Sequence, residues 1–214
     1  MISLSSLYYK IGNFELKIPE LIFAKGKIYK IKGGNGSGKT TLLRLICGLY
    51  RQNSGRIEIF GASNQDENWL YRAGIYLDES FLIDYLTPLE FLNFKGLFYK
   101  IKPVVIDKFS NKINESISYK LFSNDKLIRE LSQGNKKKVG IYSSFMHDPE
   151  ILIFDEPFEG LDEIGRSFLI KLLGEKIRDR LSIITVHHEV DLKGSMKEGE
   201  IVELEMKNGL LNYC

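Results

Sequence analysis

The chain has 214 residues, 43% of them hydrophobic, with 30 Lys and Arg against 28 Asp and Glu. A chain of this size buries roughly 70% of its unfolded surface, enough for a core without staples. The net charge of +2 gives no field to recruit nucleic acid or an anionic membrane, and two cysteines with three histidines exclude a disulfide scaffold or a zinc-site spacing. No run reaches about 18 apolar residues, so no bilayer span is expected. Met1 to Ser6 lacks the basic start and apolar stretch of a signal peptide, and the expectation is a cytoplasmic protein with no nucleic-acid partner.

In chain order, Ile28-Tyr29-Lys30-Ile31-Lys32 alternates and predicts a strand, and Thr41 to Leu49 carries apolar residues at helical spacing. Arg56 to Phe60, between Ser54-Gly55 and Gly61, predicts a half-exposed strand. Thr87-Pro88-Leu89-Glu90 supplies an N-cap, a proline at the first helical position and the glutamate of a capping box. Phe91, Leu92, Phe94, Leu97, Phe98 and Ile101 continue that helix, and from about Ser80 to Arg129 helix signals dominate. Ile151-Leu152-Ile153-Phe154 is apolar on both faces, as a central strand under two helical layers requires, and Ser182 to Val186 is similar. Strands alternating with helices predict an α/β fold with a largely parallel sheet, whose ligands gather beyond the carboxyl ends of the strands.

Gly33-Gly34-Asn35-Gly36-Ser37-Gly38-Lys39-Thr40 satisfies G-x-x-x-x-G-K-[ST] between a predicted strand and a predicted helix. Glycines let main-chain N–H groups turn inward around phosphate oxygens, and the following helix aims its free N–H groups at the same anion. Lys39 is the candidate charge for the β- and γ-phosphates, and the Thr40 hydroxyl the candidate Mg²⁺ ligand. Asp155 and Glu156 end the apolar strand on the side facing this loop. Asp155 is then placed to hold Mg²⁺, directly or through water, and Glu156 to polarise the water attacking the γ-phosphorus. Ser132 is an N-cap candidate for a helix beginning Lys136-Lys137-Lys138, whose three lysines oppose the helix dipole and are expected to form a solvated face.

These elements together resemble the nucleotide-binding subunit of ATP-binding cassette transporters over essentially the whole length. The glycine loop matches the Walker A motif, with Thr41 next in line, and Ile151 to Glu156 matches Walker B with its catalytic glutamate. Leu131 to Asn135 looks like the signature loop, Gly160-Leu161-Asp162 like the D-loop, and the neighbourhood of Asp78 and Glu79 corresponds to the Q-loop. His187 matches the switch histidine, in preference to His188. Tyr9, or its neighbour Tyr8, stands where an aromatic residue usually stacks on adenine.

The resemblance implies a P-loop NTPase fold in one domain over residues 1–214: a RecA-like, mainly parallel core, a β-rich N-terminal part and a helical subdomain inserted at about 80–131. It further implies Mg²⁺-dependent ATP hydrolysis with Glu156 and His187 catalytic, and Thr40, Asp155 and Glu79 around the metal. Two subunits, identical or not, would pack head to tail, with Ser132 and Gly134 of each approaching the other's ATP. Transmembrane permease subunits on separate chains would be the partners, at the inner face of the membrane, and the short C-terminus leans toward export. The alternative is a soluble ATPase of the same type driving an assembly such as iron–sulfur cluster delivery. Two departures stand out: the signature reads Leu-Ser-Gln-Gly-Asn where the family has Gly third and Gln fifth, and Glu79 replaces the Q-loop glutamine.

Overall fold

The computed structural model describes residues 1–192, 196–197 and 199–214. Its first strands, β1 (Ile2–Ile11) and β2 (Phe14–Phe23), form an antiparallel hairpin that β4 (Ser54–Ile59) and the two-residue β5 (Ala62–Ser63) extend on the β1 side. The other half contains β3 (Lys27–Lys32), β6 (Ala73–Tyr76), β7 (Ile151–Phe154), β8 (Leu181–Val186) and β9 (Ile201–Lys207). In space these run β6-β7-β8-β3-β9, all parallel. The last strand, β10 (Leu210–Tyr213), turns back antiparallel to β9 and meets β2 through the pair Leu210↔Lys17, joining both halves into one ten-stranded sheet.

Register decides where the site falls. Lys32 pairs with Val186, Phe154 with Ile184 and Tyr76 with Phe154, so the parallel strands end along one edge of the sheet. The residues that follow them, Gly33, Asp155, His187 and Leu77, are therefore carried to the same edge, where an open α/β sheet receives its ligands.

Helices α1 (Lys39–Ile46), α2 (Pro88–Phe98), α3 (Pro103–Ser116), α4 (Gln133–Ser143) and α5 (Glu163–Gly174) cover the sheet. Every residue of β7 and β8 is buried, as strands under two layers must be. One core packs α1 against the antiparallel part through residues such as Leu4, Leu16, Leu42 and Ile46. The other packs α2 to α5 through Leu92, Ile113, Val139 and Leu169. The approach of α4 to the sheet is close: a Cβ on Gly140 would stand 2.1 Å from the Tyr76 ring.

The capping box forms as expected, with Thr87 Oγ1 accepting the Glu90 N–H at 3.2 Å and the Glu90 carboxylate accepting the Thr87 N–H at 2.8 Å. Phe91 and Leu92 are buried, while Phe94, Leu97 and Phe98 face outward, an apolar stripe that the spacing alone assigned to the same helix. The alternation of Ile28–Lys32 does not carry into burial. Lys30 is 3% exposed because β3 lies between β8 and β9, and its ammonium is neutralised by Glu189 at 2.9 Å and Glu203 at 2.7 Å.

Candidate nucleotide site

The glycine loop leaves β3 and enters α1 through Gly38, whose φ of +113° only glycine adopts without strain. The β9–β10 turn backs the loop: the Gly209 N–H donates to the Ser37 carbonyl at 2.9 Å, and a Cβ on Gly33 would stand 2.5 Å from the Met206 carbonyl. Gly34, Asn35 and Gly36 are exposed at the rim, and Thr41 follows Thr40 on α1. Lys39 is buried and folds back, donating through Nζ to the Gly33 carbonyl at 2.7 Å and the Gly34 carbonyl at 3.3 Å. The same ammonium lies 3.3 Å from a Glu156 carboxylate oxygen.

Across the loop, the Thr40 hydroxyl donates to Asp155 Oδ2 at 2.5 Å. The other Asp155 oxygen accepts from the Thr185 hydroxyl, which in turn accepts the Glu156 N–H at 2.8 Å. Thr185 was not among the sequence candidates. Its signal was faint, one polar residue inside the apolar run Ile183-Ile184-Thr185-Val186, which the sequence alone explains equally well as a strand residue. Beyond β8, His187 and His188 are exposed, with His187 Nδ1 3.3 Å from His188 Nε2, and both line a small cleft with Glu156 and Glu159.

A second cleft, of about 390 Å³, lies between Asp155 and Glu156 on one side and Asp78, Glu79, Gln133 and Gly134 on the other. Ser132 caps α4 at its rim, accepting the Asn135 N–H at 3.3 Å. Glu79 sits in a short 3₁₀ turn, 3.9 Å from the Lys136 ammonium. The lysine triplet is not a solvated face. Lys138 is 3% exposed and bonded to Asp162 at 2.7 Å and to the Tyr119 hydroxyl at 2.9 Å. Lys137 reaches main-chain carbonyls of the segment after β7. The dipole penalty at the start of α4 is offset by these partners from other elements, which no local pattern reveals.

Of the two tyrosines, Tyr9 points into the core and stacks on Tyr50 at 5.8 Å, while Tyr8, on the other face of β1, lies under the Lys17 ammonium. The ring that reaches the loop is Phe14, at the start of β2, whose Cζ would be 2.8 Å from a Cβ on Gly38. Sequence reading missed it because the β1–β2 turn, not helical or strand spacing, brings it there.

The residues fit a nucleotide with its metal. Among the described residues the Ser37 hydroxyl is buried without a partner and the Lys39 ammonium meets loop carbonyls and Glu156, and α1 opens toward both, which suits a polyphosphate anion. Among the described residues no group of three or more His, Cys, Asp or Glu could hold a metal ion. A hydroxyl and one carboxylate oxygen 2.5 Å apart suit an ion that takes its other ligands from phosphate and water, as Mg²⁺ does.

A family model described as "ABC transporter" matches residues 16–159. The "Bacitracin transport ATP-binding protein BcrA" of Bacillus licheniformis is 33% identical over 191 residues, covering 84% of this chain and 60% of that protein. The "Uncharacterized ABC transporter ATP-binding protein YybJ" of Bacillus subtilis is 35% identical over 196 residues, covering 88% of this chain and 84% of that protein. Several curated relatives are longer, and the chain spans 43% to 60% of their length. A solved "Dimeric structure of a post-hydrolysis state of the ATP-binding cassette MJ0796 bound to ADP and Pi" superposes with a TM-score of 0.79 at 23% identity, covering 100% of this chain and 98% of that one. That likeness shows the fold, the α/β arrangement of P-loop NTPases. With the family model spanning most of the chain and a relative aligned over most of both lengths, the chain belongs to the ABC transporter family, as a nucleotide-binding subunit.

Proposed function

We propose that the chain hydrolyses Mg-ATP and so energises translocation through membrane subunits on separate chains. The observation that carries this reading is the convergence at one sheet edge of Lys39 on Glu156 at 3.3 Å and Thr40 on Asp155 at 2.5 Å. These are the charge, water-orienting, hydroxyl and carboxylate groups that phosphoryl transfer requires.

Lys39 would exchange its loop carbonyls for β- and γ-phosphate oxygens. Mg²⁺, held by Thr40 and Asp155 with Glu79 at the rim, would supply neutralisation of the phosphate charge. Glu156 would orient a water and accept its proton as the water oxygen bonds to the γ-phosphorus and the bond from that phosphorus to the ADP oxygen breaks. His187, at the end of β8, would donate to a γ-phosphate oxygen, and Phe14, not the core-facing Tyr9 expected from the sequence, would bound the base. A second copy, or another subunit of the same type, would approach head to tail and offer Ser132 and the Gly134 N–H to the same phosphate. The dimeric form of the solved relative supports that pairing.

No described helix is long and apolar enough to cross a membrane. The outward stripe of Phe94, Leu97 and Phe98, beside the apolar cleft lined by Phe81, Leu82 and Phe91, is where we place that permease, at the inner face of the membrane. Relatives named for bacitracin transport support transport as the process energised, and export is the direction we propose for it.

Glu156→Gln tests the dimer. The variant should bind ATP, turn it over very slowly and sediment or scatter light as a dimer with Mg-ATP, and a strict monomer with nucleotide bound refutes the head-to-tail site. Crosslinking from Leu97 in native membranes should capture a membrane subunit, and capture of soluble assembly factors alone would replace transport with the non-transport reading.

A further inference from the structure

The cleft beside Asp155 holds a cation that the reading above does not use. Lys137, in the second turn of α4, donates through Nζ to the main-chain carbonyl of Glu156 at 2.8 Å and to that of Glu159 at 3.0 Å. Glu156 has φ +46°, a left-handed conformation that a glutamate holds only where its surroundings fix it. The groups that fix it are on either side: Thr185 accepts its N–H at 2.8 Å, and Lys137 binds its C=O. A lysine ammonium has three protons, so it can clamp two carbonyls at once.

The same helix is registered against the same segment at two more points. Lys138 pairs with Asp162 at 2.7 Å, and Gly134 lies so close to Gly160 that a Cβ there would be 2.8 Å from the Gly160 carbonyl. The start of α4, which bears Ser132, is thus attached to the peptide that follows Glu156. Burial pulls the Lys137 ammonium below the ordinary lysine value, while Glu159, Glu156, Asp155 and Glu79 pull the other way. It sits in an acidic cleft rather than in solvent.

We propose that Lys137 is a positioning residue for hydrolysis: by clamping the carbonyls of Glu156 and Glu159 it holds the Glu156 carboxylate beside Lys39 and ties it to the helix end that carries Ser132. In a head-to-tail pair, Ser132 engages the neighbouring subunit's nucleotide while Glu156 serves the chain's own. Lys137 then links the two, because a shift of α4 pulls on the main chain of Glu156. The inference rests on the reading of Glu156 as the water-orienting group.

The test is steady-state ATP hydrolysis and Mg-ATP affinity for wild type, Lys137→Met and Lys137→Arg. Misplacing the glutamate by a fraction of an ångström to an ångström should lower kcat by about 10- to 100-fold with KM and nucleotide affinity nearly unchanged. Lys137→Arg, which keeps the charge and several donors, should recover most of the loss. A double-mutant cycle with Glu156→Gln, read by single-turnover hydrolysis, should show Lys137→Met nearly without further effect once the carboxylate is gone.

Wild-type kcat in Lys137→Met, a loss confined to KM, or an undiminished Lys137→Met effect on the Glu156→Gln background each overturns the proposal. If Lys137→Met does not fold, amide hydrogen exchange over residues 156–160 in Lys137→Arg decides. Exchange as slow as in wild type supports the clamp, and fast exchange with wild-type turnover refutes it. Failure of the wild type itself to hydrolyse ATP would instead sink the functional reading on which this rests.

Discussion

Replacing Thr185 by valine keeps the side-chain volume and deletes the hydroxyl that Asp155 and Glu156 share. The residue is fully buried, and its Oγ1 donates to one Asp155 oxygen while accepting the Glu156 N–H at 2.8 Å. A hydrogen bond to a charged group contributes about 1.5–3 kcal/mol and a neutral one about 0.5–1.5 kcal/mol. Thr40 still serves the other Asp155 oxygen, so the loss should fall in the range of about 2–4 kcal/mol. For a chain of this size that lowers Tm by roughly 4–16 °C. Urea unfolding and a thermal melt, with and without Mg-ATP, measure it, and ATP turnover should fall together with stability because both acidic residues lose an anchor. Thr185→Ser, which keeps the hydroxyl, should retain turnover. A Thr185→Val protein within about 0.5 kcal/mol of wild type and with unchanged turnover would show that the shared hydroxyl organises nothing, and the positioning of Glu156 would need another source.

Three further outcomes can be checked directly. Lys39→Ala should lose Mg-ATP affinity, measured by calorimetry or a fluorescent nucleotide, and turnover with it; full hydrolysis in that variant would remove the phosphate assignment. His147 stacks on Tyr99 at 3.7 Å and its Nε2–H donates to the Ala73 carbonyl, and burial, with nearby Lys95 adding, lowers its pKa from 6.5 to about 4. The folded state therefore resists the proton that the unfolded chain takes up, so stability present above pH 6.5 is lost as pH falls toward 4. That loss amounts to about 3 kcal/mol at most, and His147→Gln should flatten urea-unfolding curves across this window. Gly140→Ala forces a methyl into the Tyr76 ring and should cost about 1–3 kcal/mol in the same assay, whereas a neutral effect would mean the α4–sheet contact can widen freely.

How much of this was legible beforehand depends on the range of the interaction. The glycine loop, the capping box at Thr87 and the doubly apolar strand at 151–154 could be read because each is local: phosphate cradling, capping and two-sided burial need particular residue types at fixed short spacings. Adjacent strand residues point to opposite faces, so Tyr8 and Tyr9 were distinguishable only once the face of β1 that meets Tyr50 was known. Lys30 looked like the polar half of an alternating strand and proved buried, because the strand order put β8 and β9 beside it and brought Glu189 and Glu203 within reach.

By itself, then, the sequence marked the central strands at 28–32, 151–154 and 182–186, the helices after the glycine loop and after Thr87, and Gly33 to Thr40 with Asp155 and Glu156 as the candidate phosphate site. Only the tertiary structure decided that Thr185, Lys137 and Phe14 belong with them, and that the lysines of α4 are partnered rather than solvated. The reason is geometric: which distant segment stands beside a given side chain is fixed by sheet order and helix docking, and these arise from packing the whole chain rather than from any short stretch of it.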